Sequence, residues 1–254
     1  MIAPVIRVTS VNSVTTISLD RAVKRNALTP EMSARLERAV EDAGRAARAG
    51  ETNAVVLTGE GDVFCAGFDL SLCKDDDTVL ERLLRGLSAC VRALREVPCP
   101  VVVSAHGAAI AGGCALLGGC DIVVTHRGAK LGYPVLPLGI SPAVSAPTLA
   151  SLTGMGHARA LQLGGRVVSG EDAHRMGLAH ECVGSAEECR TRAAGVAEEL
   201  AAKAPHALAA TKAWLRELDP AGEGPIDAAL RASLAVVNSD EQRALLPVAW
   251  QSRR

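Results

Sequence analysis

Ala105-His106-Gly107-Ala108-Ala109-Ile110-Ala111-Gly112-Gly113-Cys114 is the stretch on which the fold turns. The run Pro100-Val101-Val102-Val103-Ser104 leads into it and reads as a buried strand. Small residues follow, and a helix opens at Gly112-Gly113 and continues through Leu117. The first N–H groups of a helix have no partner inside it and carry the positive end of its dipole. Glycine there lets another molecule approach the backbone closely. Tight packing of a helix on a strand asks for the same small residues, so this stretch alone leaves both readings open.

Working upstream, Val63-Phe64-Cys65-Ala66-Gly67-Phe68-Asp69-Leu70 has the same character. It follows a second apolar run, Ala54-Val55-Val56-Leu57-Thr58, and the turn Gly59-Glu60-Gly61-Asp62. A small-small-glycine step permits a sharp turn that leaves N–H groups unpaired, and a simple tight turn explains it equally well. A helix is expected over 78–95, and Asp121-Ile122-Val123-Val124-Thr125 is a further strand. The order β, α, β, α, β gives α/β layering.

Residues 5–9 and 13–19, rich in Val, Ile and Thr around Asn12-Ser13, read as a β-hairpin. A loop over 20–28 leads to Thr29-Pro30-Glu31, which has an N-cap, a proline at the first helical position and an early acid. Apolar residues at 32, 36, 39, 40, 43 and 47 continue that helix until Gly50. From about residue 144 the pattern is mostly helical, with segments near 156–163, 170–176, 185–203, 205–217 and 226–237.

The chain has 254 residues, enough for one large domain or one domain with a small appendage. Phe64, Phe68, Tyr133, Trp214 and Trp250 are its only aromatic residues, so the core is aliphatic and few platforms exist for stacking nucleic-acid bases. A formal charge of −1 gives no electrostatic case for nucleic acid. The N-terminal residues lack the pattern of a signal peptide, and no uninterrupted apolar run reaches membrane-spanning length, so a cytoplasmic protein without a membrane partner is expected. The eight cysteines form no C-x-x-C pair; buried thiols are expected, and no metal site.

Together the two glycine segments are more specific than either alone. Phe-Cys-Ala-Gly-Phe-Asp-Leu, about forty residues ahead of Ala-Gly-Gly-Cys-Ala, and then Cys120-Asp121-Ile122-Val123, resembles the crotonase (enoyl-CoA hydratase/isomerase) superfamily. Leu19-Asp20-Arg21 with Arg25-Asn26-Ala27-Leu28, Leu131-Gly132-Tyr133-Pro134, Leu138-Gly139-Ile140, and Val168-Ser169-Gly170-Glu171-Asp172-Ala173 with Met176-Gly177-Leu178-Ala179 extend the resemblance over nearly the whole chain.

The resemblance implies an α/β, crotonase-like (ClpP/crotonase) spiral of ββα units with a helical C-terminal region. It implies a core over 1–195 that binds acyl-CoA, and a helical part over 196–254 for oligomerisation and site cover. It places the oxyanion-hole N–H donors at Phe68 and Gly112, and lays CoA along the loop at Lys24, Arg25 and Ala27 and the backbone of Ala66, Asp69 and Leu70. It implies a homotrimer or dimer of trimers in fatty acid metabolism, with no cofactor beyond the coenzyme A of the substrate. Asp121 matches a structural acid.

The two catalytic glutamates of the family's hydratases fall on Ala115 and Val135, and both positions are apolar here. Between Glu96 and Glu171 the only acid is Asp121. Tyr133, Ser141, Ser145, Cys114 and His106 are the neighbouring polar groups, each with a packing role as the simpler explanation; Asp240 and Glu241 are more distant acids. Three readings follow: a decarboxylase-like enzyme needing no carboxylate base, a non-catalytic acyl-CoA binder, and a hydratase or isomerase with another proton donor. Serine hydrolase and dinucleotide-binding readings lose their motifs, G-x-S-x-G and G-x-G-x-x-G.

Overall fold

A computed structural model describes residues 5–247. The N-terminal residues 1–4 and the end of the chain, 248–254 with Trp250, lie outside the described residues. The expected hairpin is β1 (Ile6–Val11) antiparallel to β2 (Val14–Leu19), with Val11 opposite Val14. Asn12 and Ser13 both take positive φ, 50° and 60°, which suits a two-residue turn between twisted strands. In α1 (Pro30–Arg48) the Thr29 hydroxyl accepts a hydrogen bond from the Met32 N–H at 3.1 Å, as the N-cap reading requires.

Next come β3 (Ala54–Gly59), α2 (Val79–Glu96), β4 (Val101–Ala105), β5 (Ala108–Ile110), α3 (Gly112–Leu117) and β6 (Ile122–His126). They are followed by β7 (Lys130–Gly132), α4 (Ala146–Leu163), β8 (Val167–Ser169), α5 (Gly170–Arg175), β9 (Glu181–Val183) and α6 (Ala186–Ala201). The last elements are α7 (Pro205–Leu218), α8 (Glu223–Leu234) and α9 (Asp240–Leu245).

The main sheet has the order β1-β2-β3-β4-β6-β9 and is parallel from β2 onward. Alternation along its strands divides the core. Val55, Leu57, Val101, Val103 and Val123 pack with residues of α1 and α2, whereas Val56, Val102 and Val124 pack with Cys189, Ala193 and Val196 of α6. A sheet covered on both faces needs continuous apolar strands, and this is why the runs at 54–57 and 101–103 show no polar alternation.

A second sheet, β5-β7-β8, carries the site. Its strands have three residues each and are extended by two isolated bridges, Cys65 with Ala109 and Leu28 with Phe68. The region after 144, read above as mostly helical, therefore also supplies β8 and β9. The helix expected at 156–163 is the second half of α4, which is bent at Gly154 (φ 74°). The boundary expected between 195 and 196 falls inside α6. No described helix is long and apolar enough to cross a membrane.

Candidate active site

The site is assembled by zipping three loops together. The Ala66 N–H donates to the Arg25 carbonyl (3.0 Å), Leu28 N–H to the Gly67 carbonyl (2.7 Å), and Asp69 N–H to the Leu28 carbonyl (2.9 Å). On the other side, Cys65 N–H donates to the Ala108 carbonyl and Ile110 N–H to the Cys65 carbonyl, both at 3.0 Å. The 63–70 segment is thus a strand-like bridge between the 20–28 loop and β5. Asn26, fully buried with φ 54°, locks the first loop: its amide donates to the Glu60 and Val63 carbonyls at 2.9 Å and its Oδ1 accepts from Arg21 N–H.

Within this frame several N–H groups are left over, those of Phe68 and Gly112 among them. Among the described residues, neither Phe68 N–H nor Gly112 N–H donates to any acceptor, although their neighbours Ala66, Asp69 and Ala111 all do. Each is preceded by a residue with positive φ, Gly67 at 95° and Ala111 at 50°. A non-glycine residue at φ 50°, ψ −109° costs on the order of 1–3 kcal/mol and persists only where its surroundings over-determine it. Here the Ala111 N–H is fastened to the Gly132 carbonyl at 2.7 Å. The two residues also touch: a Cβ placed on Gly112 would meet Phe68 Cε1 at 2.8 Å.

A side chain at Gly67 is strained, since a Cβ there would lie 3.0 Å from the Ile110 carbonyl oxygen and φ is 95°. Gly67→Ala is therefore expected to lower stability by about 1–3 kcal/mol, whereas Ala111→Gly should be neutral or stabilising. A thermal unfolding comparison of the two variants checks this.

Phe68 and Gly112 line one cavity of about 120 Å3. Ala115 and Val135, the positions to which the sequence resemblance carries the hydratase glutamates, line the same cavity, and so do Ala66 and Leu70. Apolar side chains and glycine make up the rest of the lining, apart from Tyr133, Ser141 and Ser145. No lining side chain is acidic or basic among the described residues. Asp240 and Glu241, the remote acids, are exposed on α9 and do not line it.

The polar groups present are held by the protein itself. Ser145, buried, donates to the Pro142 carbonyl (2.9 Å) and accepts from the Gln162 amide (3.0 Å). The Tyr133 hydroxyl faces Ser145 and the Cys114 thiol, and burial raises its pKa well above the usual value, so it is a neutral phenol. Cys114 is no thiolate at a helix end: burial pushes its pKa up to about 12, and α3 is a single short helix of six residues. Ser141 Oγ accepts from the Ala143 N–H, and its carbonyl accepts from Ser233 Oγ of α8. His106 is fully buried, lies outside the cavity, and is kept neutral mainly by that burial.

Of the residues expected beside CoA, Lys24 and Arg25 are exposed on the first loop. The Asp69 carboxylate turns inward, 2.7 Å from Arg21 Nη2 and 2.5 Å from Ser71 Oγ, which leaves only its backbone to meet CoA. Burial alone would raise its pKa, but these hydrogen bonds and the Arg21 charge outweigh it and the pKa is lowered. Asp121 is structural as expected: it accepts from Val101 N–H at 2.7 Å and pairs with Lys212 at 2.6 Å. Leu84 and Leu87 of α2, which form the inner wall, and Gln162 of α4, which holds Ser145, carry no signal in the sequence that ties them to the site. No cluster of side chains suited to a metal ion occurs among the described residues.

Comparison with known proteins gives this geometry its context. The Enoyl-CoA hydratase/isomerase family model matches residues 9–243. The short-chain-enoyl-CoA hydratase of Clostridium acetobutylicum is 31% identical over 202 residues, covering 78% of this chain and 76% of that one. An enoyl-CoA hydratase/isomerase of Xanthobacter autotrophicus Py2 superposes with a TM-score of 0.85 at 26% identity, over 98% of this chain and 93% of that one. Pseudomonas aeruginosa OdaA superposes with a TM-score of 0.84 at 27% identity, over 99% of this chain and all of that one. The fold is crotonase-like, and the chain belongs to the enoyl-CoA hydratase/isomerase family of the crotonase superfamily.

Proposed function

We propose that this protein binds an acyl-CoA thioester with its carbonyl oxygen on the Phe68 and Gly112 N–H groups, stabilises the enolate of that thioester, and does not hydrate 2-enoyl-CoA. The observation that carries the reading is the pairing of two unused backbone donors with a lining that has no carboxylate. Negative charge grows on a thioester oxygen as an enolate forms, and a preorganised donor is worth roughly 3–4 kcal/mol there. Hydration needs a base for water and an acid for the α-carbon, and Ala115 and Val135 supply neither.

The lining favours one reaction over others. Loss of CO2 from a malonyl-type thioester needs no base: the C–C bond electrons pass into the thioester carbonyl, and CO2 leaves neutral. An apolar cavity penalises the departing carboxylate but not CO2, while the charge moves to the two N–H groups. Solvent returns the proton to the α-carbon. In this reading coenzyme A runs along the exposed Lys24 and Arg25, past Ala27, and on to the backbone of Ala66, Asp69 and Leu70, of which Ala66 and Leu70 line the cavity. The reading includes self-assembly, supported by α7, which exposes Trp214, Leu215 and Leu218.

Calorimetric titration tests the binding step. Acyl-CoA thioesters are expected to bind more tightly than free CoA. Equal affinity for the two removes the site described here.

A further inference from the structure

The cavity has a mouth and a closed end. Phe68, Leu70, Val135 and Leu138 are partly exposed, whereas Leu84, Leu87, Ala115, Tyr133, Ile140 and Ser145 are each 5% exposed or less. The closed end is rigid by construction. Leu84 and Leu87 come from the middle of α2, a well-packed helix of 18 residues, and belong to the main core. Ser145 is held by Pro142 and Gln162, and the 141–144 turn is clamped from α8, where Ser233 Oγ accepts from Val144 N–H (2.8 Å) and donates to the Ser141 carbonyl (3.0 Å).

The volume, about 120 Å3, sets a limit. A dry apolar cavity of roughly 150 Å3 holds one six-carbon benzene ring. By that measure the space seats about five carbons. They are counted from the thioester carbonyl, because Phe68 and Gly112, which would hold it, belong to the same lining.

We propose that the site is specific for short acyl groups of about four to five carbons, and that Leu84, Leu87 and Ala115 set that length. The inference rests on the reading of the cavity as the acyl site. Every methylene that fits inside leaves water for an apolar wall and tightens binding about fourfold. The next ones meet packed leucines that cannot retreat without straining the core.

The test is a calorimetric series of acetyl-, butanoyl-, hexanoyl-, octanoyl- and decanoyl-CoA, with free CoA as control. Affinity is expected to rise about fourfold per methylene from acetyl to butanoyl, to level off by hexanoyl, and to fall at least about tenfold by decanoyl. Affinity that keeps rising to decanoyl, or that ignores chain length, overturns the length limit while leaving the thioester site standing. Thioesters no tighter than free CoA overturn both. Two variants place the wall. Leu84→Ala should move the optimum about two carbons longer, and Ala115→Val should shorten it, with butanoyl-CoA losing about tenfold relative to acetyl-CoA. Ala115→Val only adds methyl groups, so it stands as the test if Leu84→Ala does not fold. A length profile unchanged in a folded variant contradicts the assignment.

Discussion

Gly112→Pro is expected to slow decarboxylation of a malonyl-type thioester by about 10²–10³, while weakening thioester binding only about fivefold. Proline at the first position of a helix is tolerated, because the N–H it lacks has no partner within the helix. Here that N–H is the one assigned to the substrate. A hydrogen bond to a neutral thioester carbonyl is worth about 1 kcal/mol net, whereas the same donor facing an enolate oxygen in a dry site is worth about three times as much. The loss therefore falls mainly on turnover. Gly112→Ala controls for the added Cβ, though not for the proline Cδ that takes the place of the N–H hydrogen. It adds the same Cβ against Phe68 Cε1 but keeps the N–H, so turnover should fall much less. Thermal unfolding of both variants separates a missing donor from a damaged fold. Equal losses in the two variants would assign the effect to the Cβ contact and not to the N–H.

The second large effect is an absence of activity. Crotonyl-CoA hydration is expected to fall short of a two-carboxylate enzyme by about 10²–10⁴ for each missing acid–base group. Nothing in the lining compensates. At pH 7 a phenol of ordinary pKa is ionised to about one part in a thousand, and burial lowers that further for Tyr133. Cys114, with a pKa pushed up to about 12, is a thiol. Asp121 is held by Val101 N–H and Lys212 and takes no part in the cavity lining. The check is loss of the enoyl absorbance of crotonyl-CoA with purified protein. Turnover within tenfold of a two-glutamate hydratase would show that a proton-transfer group reaches the cavity from elsewhere.

Much of the fold was legible because it is written in local patterns. Asn12-Ser13 between two β-branched runs, Thr29-Pro30-Glu31 before an apolar stripe, and the Val runs of β3 and β4 each report a short-range preference. β5, β7 and β8 did not show as strands, because three residues hold no periodicity and their pairing joins segments 20 or more residues apart. The first half of α4 was hidden by Pro147 and by the bend at Gly154.

The site divides in the same way. Phe68, Gly112, Ala115 and Val135 were placed by motif order, and the structure brings all four to one cavity. The Asp69 carboxylate is held by Arg21, 48 residues earlier in the chain, and no local pattern shows that pairing. The strain at Ala111 is not legible in the sequence, because alanine carries no signature of positive φ. The closed end of the cavity depends on which face α2 turns to α3, a tertiary fact that helical spacing alone does not state.

The central claim is that the thioester carbonyl rests on the Phe68 and Gly112 N–H groups. Isotope-edited infrared spectroscopy of bound butanoyl-CoA, labelled with ¹³C at the thioester carbonyl, tests it most directly. Two fixed donors in a water-poor cavity polarise the C=O bond more than bulk water does, so the labelled band should move to lower frequency on binding and return most of the way in Gly112→Pro. A bound thioester whose carbonyl band stays at or above its frequency in water would contradict the assignment.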